Sequence, residues 1–287
     1  MTIAVPDGLD WLAGEPGGAA WLAGLPRLID DIADRWDLDV GEAYPLSNVS
    51  FVAPARQRQQ WVVLKVQWPH PECTHEAAAL RAMDGGAAVR LLDHDPDRHA
   101  LLLERCDPGT HLAAEGQQTA LTVIADLLPR GWISPPGPFC SLADEATRWA
   151  ATLRADWEAA DRPCEQRLVD AALDYIDQLV PTQGEQVLLH QDLHGLNVIA
   201  AQRQPWLVID PKPLVGEREL ALAPVIRSFE LGHSRQDVVG RLDHLTDALG
   251  LDRGRVIGWA VAQTMAWSFG SKYTPLRHQT VDWLLEL

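Results

Sequence analysis

The way strand-like and helical patterns divide along the chain constrains its fold more than any other feature. Between residues 43 and 105, short β-rich runs are separated by polar turns, whereas the chain beyond Cys106 reads as almost wholly helical. Asn48 to Ala55 and Trp61 to Gln67 flank the polar turn ArgGlnArgGlnGln and predict a hairpin; Val89 to Asp93 and Ala100 to Glu104 flank AspProAspArg and predict a second. Between the hairpins, Pro71 to Met83 is Ala-rich with Glu76 and Leu80 at helical spacing. The order is therefore strand, strand, strand, helix, strand, strand. Ahead of it, Leu28, Ile29, Ile32 and Trp36 predict a surface helix opened by Pro26 and closed before Gly41.

AspProGlyThr after Cys106 breaks the chain, so residues 1–105 form one expected lobe and 106–287 the other. Helices are expected over Gln117–Leu128, Ala143–Ala159, Glu165–Leu179, Glu219–Leu231, Gln236–Leu249, Arg253–Phe269 and Gln279–Leu287. Only Val187–His190, Asn197–Ala201 and Trp206–Ile209 interrupt them as short apolar strands beside polar loops. The uncharged run from Val256 to Ser271 carries Gln263 and Thr264 and falls short of a bilayer span, so it reads as a buried helix.

Of the 287 residues 47% are hydrophobic and 22% charged, which is ordinary for a globular protein that needs neither disulfide nor metal to hold together. Lys plus Arg number 24 against 40 Asp plus Glu, a net charge of −16 with no basic run, which argues against nucleic acid as a partner. The four cysteines form no Cys-x-x-Cys pair, and MTIAVPDGLD has neither the basic start nor the apolar stretch of a signal peptide. A cytoplasmic protein that does not enter membranes is expected.

Chemistry concentrates in ValLeuLeuHisGlnAspLeuHisGlyLeuAsnValIle and the following TrpLeuValIleAspProLysPro. These place His190, Asp192 and Asn197 in an H-x-D-x-x-x-x-N pattern, with Asp210 at the end of the next strand. Phosphoryl transfer needs such parts: a carboxylate to orient a hydroxyl and take its proton, and oxygen ligands to hold Mg²⁺ against phosphates. Asp192 fits the base; Asn197 and Asp210 fit the metal ligands. Upstream, Lys65 in the strand ValValLeuLysVal could reach nucleotide phosphates, with Glu76 on the next helix holding it by an ion pair. His190, Asp192 and His194 could instead bind a transition metal, but no second close histidine pair supplies further ligands. No G-x-S-x-G elbow or P-loop is present.

With these motifs the sequence resembles the protein-kinase-like fold and, within it, the aminoglycoside phosphotransferase superfamily. IleAspProLysPro is similar to the streptomycin 6-phosphotransferase and hydroxyurea phosphotransferase group. The resemblance implies an α+β, two-lobed fold with a small antiparallel-sheet lobe and a larger helical lobe, the nucleotide lying in the cleft. It implies that Asp192 is the catalytic base, that Asn197 and Asp210 bind Mg²⁺, and that Lys65, positioned by Glu76, contacts the phosphates of ATP or GTP. LeuLeuLeuGluArgCys would link the lobes, Glu104 to Cys106 meeting the purine through their backbone, and His190 would hold the catalytic loop. The loop TyrProLeuSerAsnValSer has no glycine, so phosphate contacts fall to the amides from Ser47 to Ser50. Where related kinases carry a second aspartate that supports the catalytic loop, this chain has Ala221. The expected activity is phosphorylation of a small-molecule antibiotic, foremost a streptomycin-type aminoglycoside. Hydroxyurea, a nucleoside antibiotic or a pseudokinase that binds nucleotide without transfer are the alternatives. Glu217, Glu219 and Glu230 could face a cationic acceptor, though solvated helix charges are the favoured reading.

Overall fold

The computed structural model describes residues 4–45, 48–134, 137–270 and 272–287. The chain divides into two compact units, Met1–Gly109 and Thr110–Leu287.

The first unit is a five-stranded antiparallel sheet in the order β1-β2-β3-β5-β4, formed by β1 (Leu38–Val40), β2 (Ser50–Gln57), β3 (Gln60–Gln67), β4 (Leu91–Asp95) and β5 (Ala100–Glu104). Helix α1 (Gly18–Trp36) precedes the sheet and α2 (Glu76–Met83) lies between β3 and β4. Strand alternation sends Val62, Leu64 and Val66 of β3 to one face, where they join Leu25, Ile29 and Ile32 of α1 and Phe51 of β2 in the core. Lys65 and Gln67 are one residue out of phase, so they project to the opposite face. α1 begins at Gly18 rather than at Pro26, which lies inside it. A proline removes one N–H from the helical ladder, a loss that the buried stripe of Leu25, Ile29, Ile32 and Trp36 outweighs. The expected helix over Pro71–Met83 is a 3₁₀ turn, Pro71–Cys73, followed by α2.

The second unit is mostly helical: α3 (Gln117–Gly131), α4 (Leu142–Ala159), α5 (Gln166–Leu179), a short α6 (Ala223–Ile226), α7 (Arg235–Leu249), α8 (Arg253–Ala266) and α9 (Thr274–Leu285). β6 (Cys140–Ser141) and β7 (Gln186–Leu189) flank β10 (Leu214–Glu217) in a small sheet, while β8 (Val198–Ala200) and β9 (Trp206–Val208) form a separate hairpin. α8 is buried continuously from Val256 to Met265 and packs against α5, α6, α7 and α9. No helix among the described residues is long and apolar enough to cross a membrane.

Two expectations fail here. The single helix foreseen over Glu219–Leu231 is instead a 3₁₀ turn, Arg218–Leu222, then α6, then irregular chain. Buried Arg241 donates to the carbonyls of Ile226 (3.0 Å) and Gly232 (2.8 Å), so this segment satisfies its backbone without helical bonds. β10 was not foreseen, its apolar run being short and broken by Gly216. That glycine is required: a Cβ there would lie 2.5 Å from Leu142 Cβ, too close for β10 to pack on α4.

Candidate active site

In the first unit, Lys65 and Glu76 are 5% and 1% exposed, and the ammonium donates to both carboxylate oxygens at 2.8 and 2.7 Å. The pairing follows from local structure: the outward phase of β3 presents Lys65 to the first turn of α2, where an acidic residue also suits the helix dipole. Gln67, two residues along the same face, donates to Glu76 Oε2 at 2.5 Å. Ser50 is buried at the start of β2 in register with Gln67. Glu104 ends β5, its carboxylate accepting from the Arg90 amide at 2.9 Å, and Cys106 is buried two residues on. Ser47 lies outside the described residues.

In the second unit, β7 delivers the chain into the loop His190–Asn197, and the β8–β9 hairpin returns it at Asp210. The Ile209 amide donates to the Asn197 carbonyl at 2.9 Å, which puts Asn197 and Asp210 at the same open end of the hairpin. His190 shapes the loop. Its Nδ1 accepts from the Asp192 amide (3.2 Å), so Nε2 carries the proton and donates to the Ile209 carbonyl (2.8 Å). Burial lowers its pKa and keeps it neutral. Asn197 Nδ2 donates to the Asp192 carbonyl at 2.9 Å. Gln191 and Asp210 both have left-handed backbones, with φ of 64° and 57°. Such conformations cost on the order of 1–3 kcal/mol each in non-glycine residues and cluster at functional sites.

The Asp192 carboxylate is half-buried among cations. Lys212 Nζ lies 3.1 Å from Oδ2, Arg227 Nη2 3.5 Å from Oδ1, and His194 Nε2 4.0 Å from Oδ1. Burial pushes its pKa up, but Lys212, His194 and Arg227 beside it outweigh that and hold it below the usual carboxylate value. Asp192 is thus ionised at neutral pH. Arg227 is itself buried, which pulls its guanidinium down to about 10 despite the pull of Asp192. Half-buried Arg277 on α9 adds a further positive charge that acts on Asp192.

Two of the three helical-lobe glutamates are tied into the protein rather than solvated. Glu230 accepts from Ser228 Oγ (2.7 Å) and from the Gly195 amide (3.1 Å), and lies 3.2 Å from His194 Nδ1, so it anchors the catalytic loop. Burial raises its pKa, and the bonds and charge of His194 and Ser228 more than reverse this, to about 2. Glu217 is 1% exposed, paired with Arg255 at 2.7 and 3.0 Å and bonded by Trp259 Nε1. Glu219 is half-buried in the 3₁₀ turn after β10. The loop is therefore held by Glu230 and Gln263 rather than from position 221, where Ala221 is buried among apolar residues. Lys212, Arg227 and Gln263 were not singled out from sequence. Two left a trace in the sequence, a lysine between two prolines after Asp210 and a glutamine inside the uncharged run of α8, whereas Arg227 left none.

Among the described residues no three of His, Cys, Asp and Glu are grouped so as to hold a metal, which removes the transition-metal reading. Asn197 and Asp210 offer hard oxygen donors, the kind that Mg²⁺ takes in ones and twos beside water and substrate phosphates. With its amide nitrogen committed to Asp192, Asn197 has Oδ1 left as a ligand.

A family model described as aminoglycoside/hydroxyurea antibiotic resistance kinase matches residues 35–269. The chain belongs to this family. A streptomycin 6-kinase of Streptomyces griseus is 38% identical over 275 residues, covering 92% of this chain and 89% of that protein. A hydroxyurea phosphotransferase of Kitasatospora aureofaciens is 36% identical, covering 87% and 74%. Among solved structures, a choline kinase from Streptococcus pneumoniae superimposes with a TM-score of 0.66 at 16% identity, covering 92% of this chain and 99% of that one. The fold is protein-kinase-like. As a member of this family the protein is an antibiotic O-phosphotransferase that uses a nucleotide.

Proposed function

We propose that the protein transfers the γ-phosphoryl group of ATP to a hydroxyl of a streptomycin-type aminoglycoside in the cytoplasm, and so inactivates it. The observation that carries this reading is the arrangement of Asp192, Asn197 and Asp210 at the mouth of one hairpin, in a chain 38% identical to streptomycin 6-kinases. The acceptor oxygen forms a bond to the γ-phosphorus, the bond to the bridging β–γ oxygen breaks, ADP leaves, and the hydroxyl proton passes to Asp192.

An ion-paired aspartate is a weak base. Its task is to orient the hydroxyl and receive the proton late, as suits a loose transition state in which positioning and charge neutralisation dominate. A bound Mg²⁺ would supply charge neutralisation on the phosphates. Asn197 and Asp210 are its ligands from the protein. Lys65 contacts the nucleotide phosphates, its ammonium held in place by Glu76. The backbone at Glu104 to Cys106 receives the purine, and the amides of Ser47 to Ser50 contact phosphate. All the parts that a pseudokinase would lack, Asp192, Asn197, Asp210 and Lys65, are present.

The test is mass-spectrometric detection of phosphate addition with Mg²⁺ and ATP or GTP, across streptomycin, other aminoglycosides, hydroxyurea and nucleoside antibiotics. A product from streptomycin alone is expected. Product from hydroxyurea alone would move the acceptor assignment, and nucleotide binding with no product on any acceptor would favour the pseudokinase.

A further inference from the structure

Each oxygen of the Asp192 carboxylate has its own cation, and the two cations share one aromatic ring. Lys212 Nζ (3.1 Å) serves Oδ2 and Arg227 Nη2 (3.5 Å) serves Oδ1. Lys212 Nζ lies over Trp267, 5.2 Å from the ring centroid, and Arg227 Cζ lies over it at 4.9 Å. Arg227 stands at the end of α6 with its side chain 7% exposed, and its Nη1 donates to Gln263 Oε1 on α8 at 2.5 Å. Gln263 Nε2 in turn donates to the carbonyl of Gln191 at 3.1 Å. Trp267 is fixed from a third element, because Arg277 on α9 donates to its backbone carbonyl.

One buried guanidinium thus connects to the carboxylate of Asp192 directly and, through Gln263, to the backbone just before it. We propose that Arg227, seated on Trp267 and anchored by Gln263, is a positioning residue that fixes the Asp192 carboxylate for proton acceptance; this rests on the reading of Asp192 as the base. A planar, forked guanidinium can engage a carboxylate and an amide oxygen while stacking on an indole, whereas a lysine ammonium meets one of them at a time. If Arg227 merely knits α6 to α8, its loss lowers stability and leaves the folded enzyme's turnover intact. If it positions Asp192, its loss lowers kcat with little change in either KM, because Asp192 contacts the reacting hydroxyl in the transition state.

The experiment is steady-state kinetics and thermal melting of the full chain with MgATP and streptomycin, or the acceptor found by the mass-spectrometric panel. Arg227→Met should lower kcat about 30-fold with both KM values within about threefold, and Arg227→Lys should recover part of the loss. Trp267→Phe, which keeps an aromatic face, should stay within about threefold of the wild type, and Trp267→Leu should fall about tenfold. The decisive comparison is Asp192→Asn with and without Arg227→Met: the double variant should be no slower than Asp192→Asn alone. A wild-type kcat in Arg227→Met, a loss carried by KM, or additive losses in the double variant would each overturn the proposal. Should Arg227→Met not fold, Arg227→Lys and Trp267→Leu decide, and wild-type kcat in both overturns it. Wild-type turnover in Asp192→Asn would strike down the base assignment itself, a result distinct from a fast Arg227→Met beside an inert Asp192→Asn.

Discussion

The two charged centres of the molecule are built on opposite plans. Lys65 and Glu76 form a closed pair, one ammonium on both oxygens of one carboxylate with side chains 7% and 2% exposed. Asp192 is a carboxylate shared among Lys212, Arg227 and Arg277, with Glu230 also acting on Arg227, in a chain whose net charge is −16. The first centre matches one cation to one carboxylate. The second gathers three cations around the carboxylate of Asp192, which suits a site that is to meet a polyphosphate and stabilise charge as phosphoryl transfer proceeds. One-to-one pairing keeps a group in place, and gathered charge of one sign prepares it for a substrate of the other.

The largest expected effect removes the Asp192 carboxylate's charge from among its cations. Asp192→Asn should lower turnover by at least about 10²-fold, the contribution usual for a positioned base, while nucleotide affinity measured by calorimetry stays near the wild-type value. Normal turnover would break the comparison, because the cations would then surround a residue without catalytic use. The closed pair should respond in stability. Lys65→Met strands Glu76 in the interior and should cost about 3–5 kcal/mol in denaturant unfolding, whereas Lys65→Met with Glu76→Leu should recover most of that. Activity should not return with stability in the double variant, since the phosphate contact is gone. Recovery of both together would assign the pair a structural role alone.

The first centre was more legible in the sequence than the second, and the reason is physical. Lys65 and Glu76 lie in adjacent elements, and strand phase plus a helix N-terminus suffices to bring them together. The catalytic loop and hairpin were equally readable, because His190, Asp192, Asn197 and Asp210 fall within one continuous segment. Arg227 and Arg277 act on Asp192, and Gln263 and Trp267 act through Arg227, from three places along the helical unit, and no local pattern marks any of them as a neighbour of the others. Helical periodicity even misled at Arg227, since the expected helix over 219–231 is broken where Arg241 takes over the carbonyls. Glu230 was misjudged for a related cause: an acid within a predicted helix reads as solvated until its partners Ser228, His194 and Gly195 are seen to come to it.

Glu230 allows the cationic plan to be tested by pH. Its pKa is lowered from 4.5 to about 2 in the folded state, so the unfolded chain takes up the proton first as pH falls. The stabilisation it provides is therefore complete above about pH 5, and is lost as pH drops from there toward 2. The shift corresponds to on the order of 3 kcal/mol at neutral pH. In chemical denaturation, Glu230→Gln should be less stable than the wild type at pH 7, and the gap should narrow steadily between pH 5 and 3. A gap that is constant across that range would mean that Glu230 acts through shape and hydrogen bonding, with no electrostatic share.

The smallest effect separates charge from backbone at Asp210. This residue is held at φ 57°, a conformation that asparagine tolerates and alanine does not favour. Asp210→Asn keeps an oxygen donor and the backbone preference but loses the charge; Asp210→Ala loses all three. If Asp210 is a metal ligand, both variants should weaken nucleotide binding in the presence of Mg²⁺, by about tenfold for Asn and more for Ala, with little change when Mg²⁺ is chelated. Only Asp210→Ala should also lose stability, by about 1 kcal/mol, because it alone must force a poorly suited residue into the left-handed region. Equal stability of the two would show that the backbone at the end of β9 relaxes without cost. Unchanged Mg²⁺ dependence would instead place the metal on other oxygens than those of Asp210.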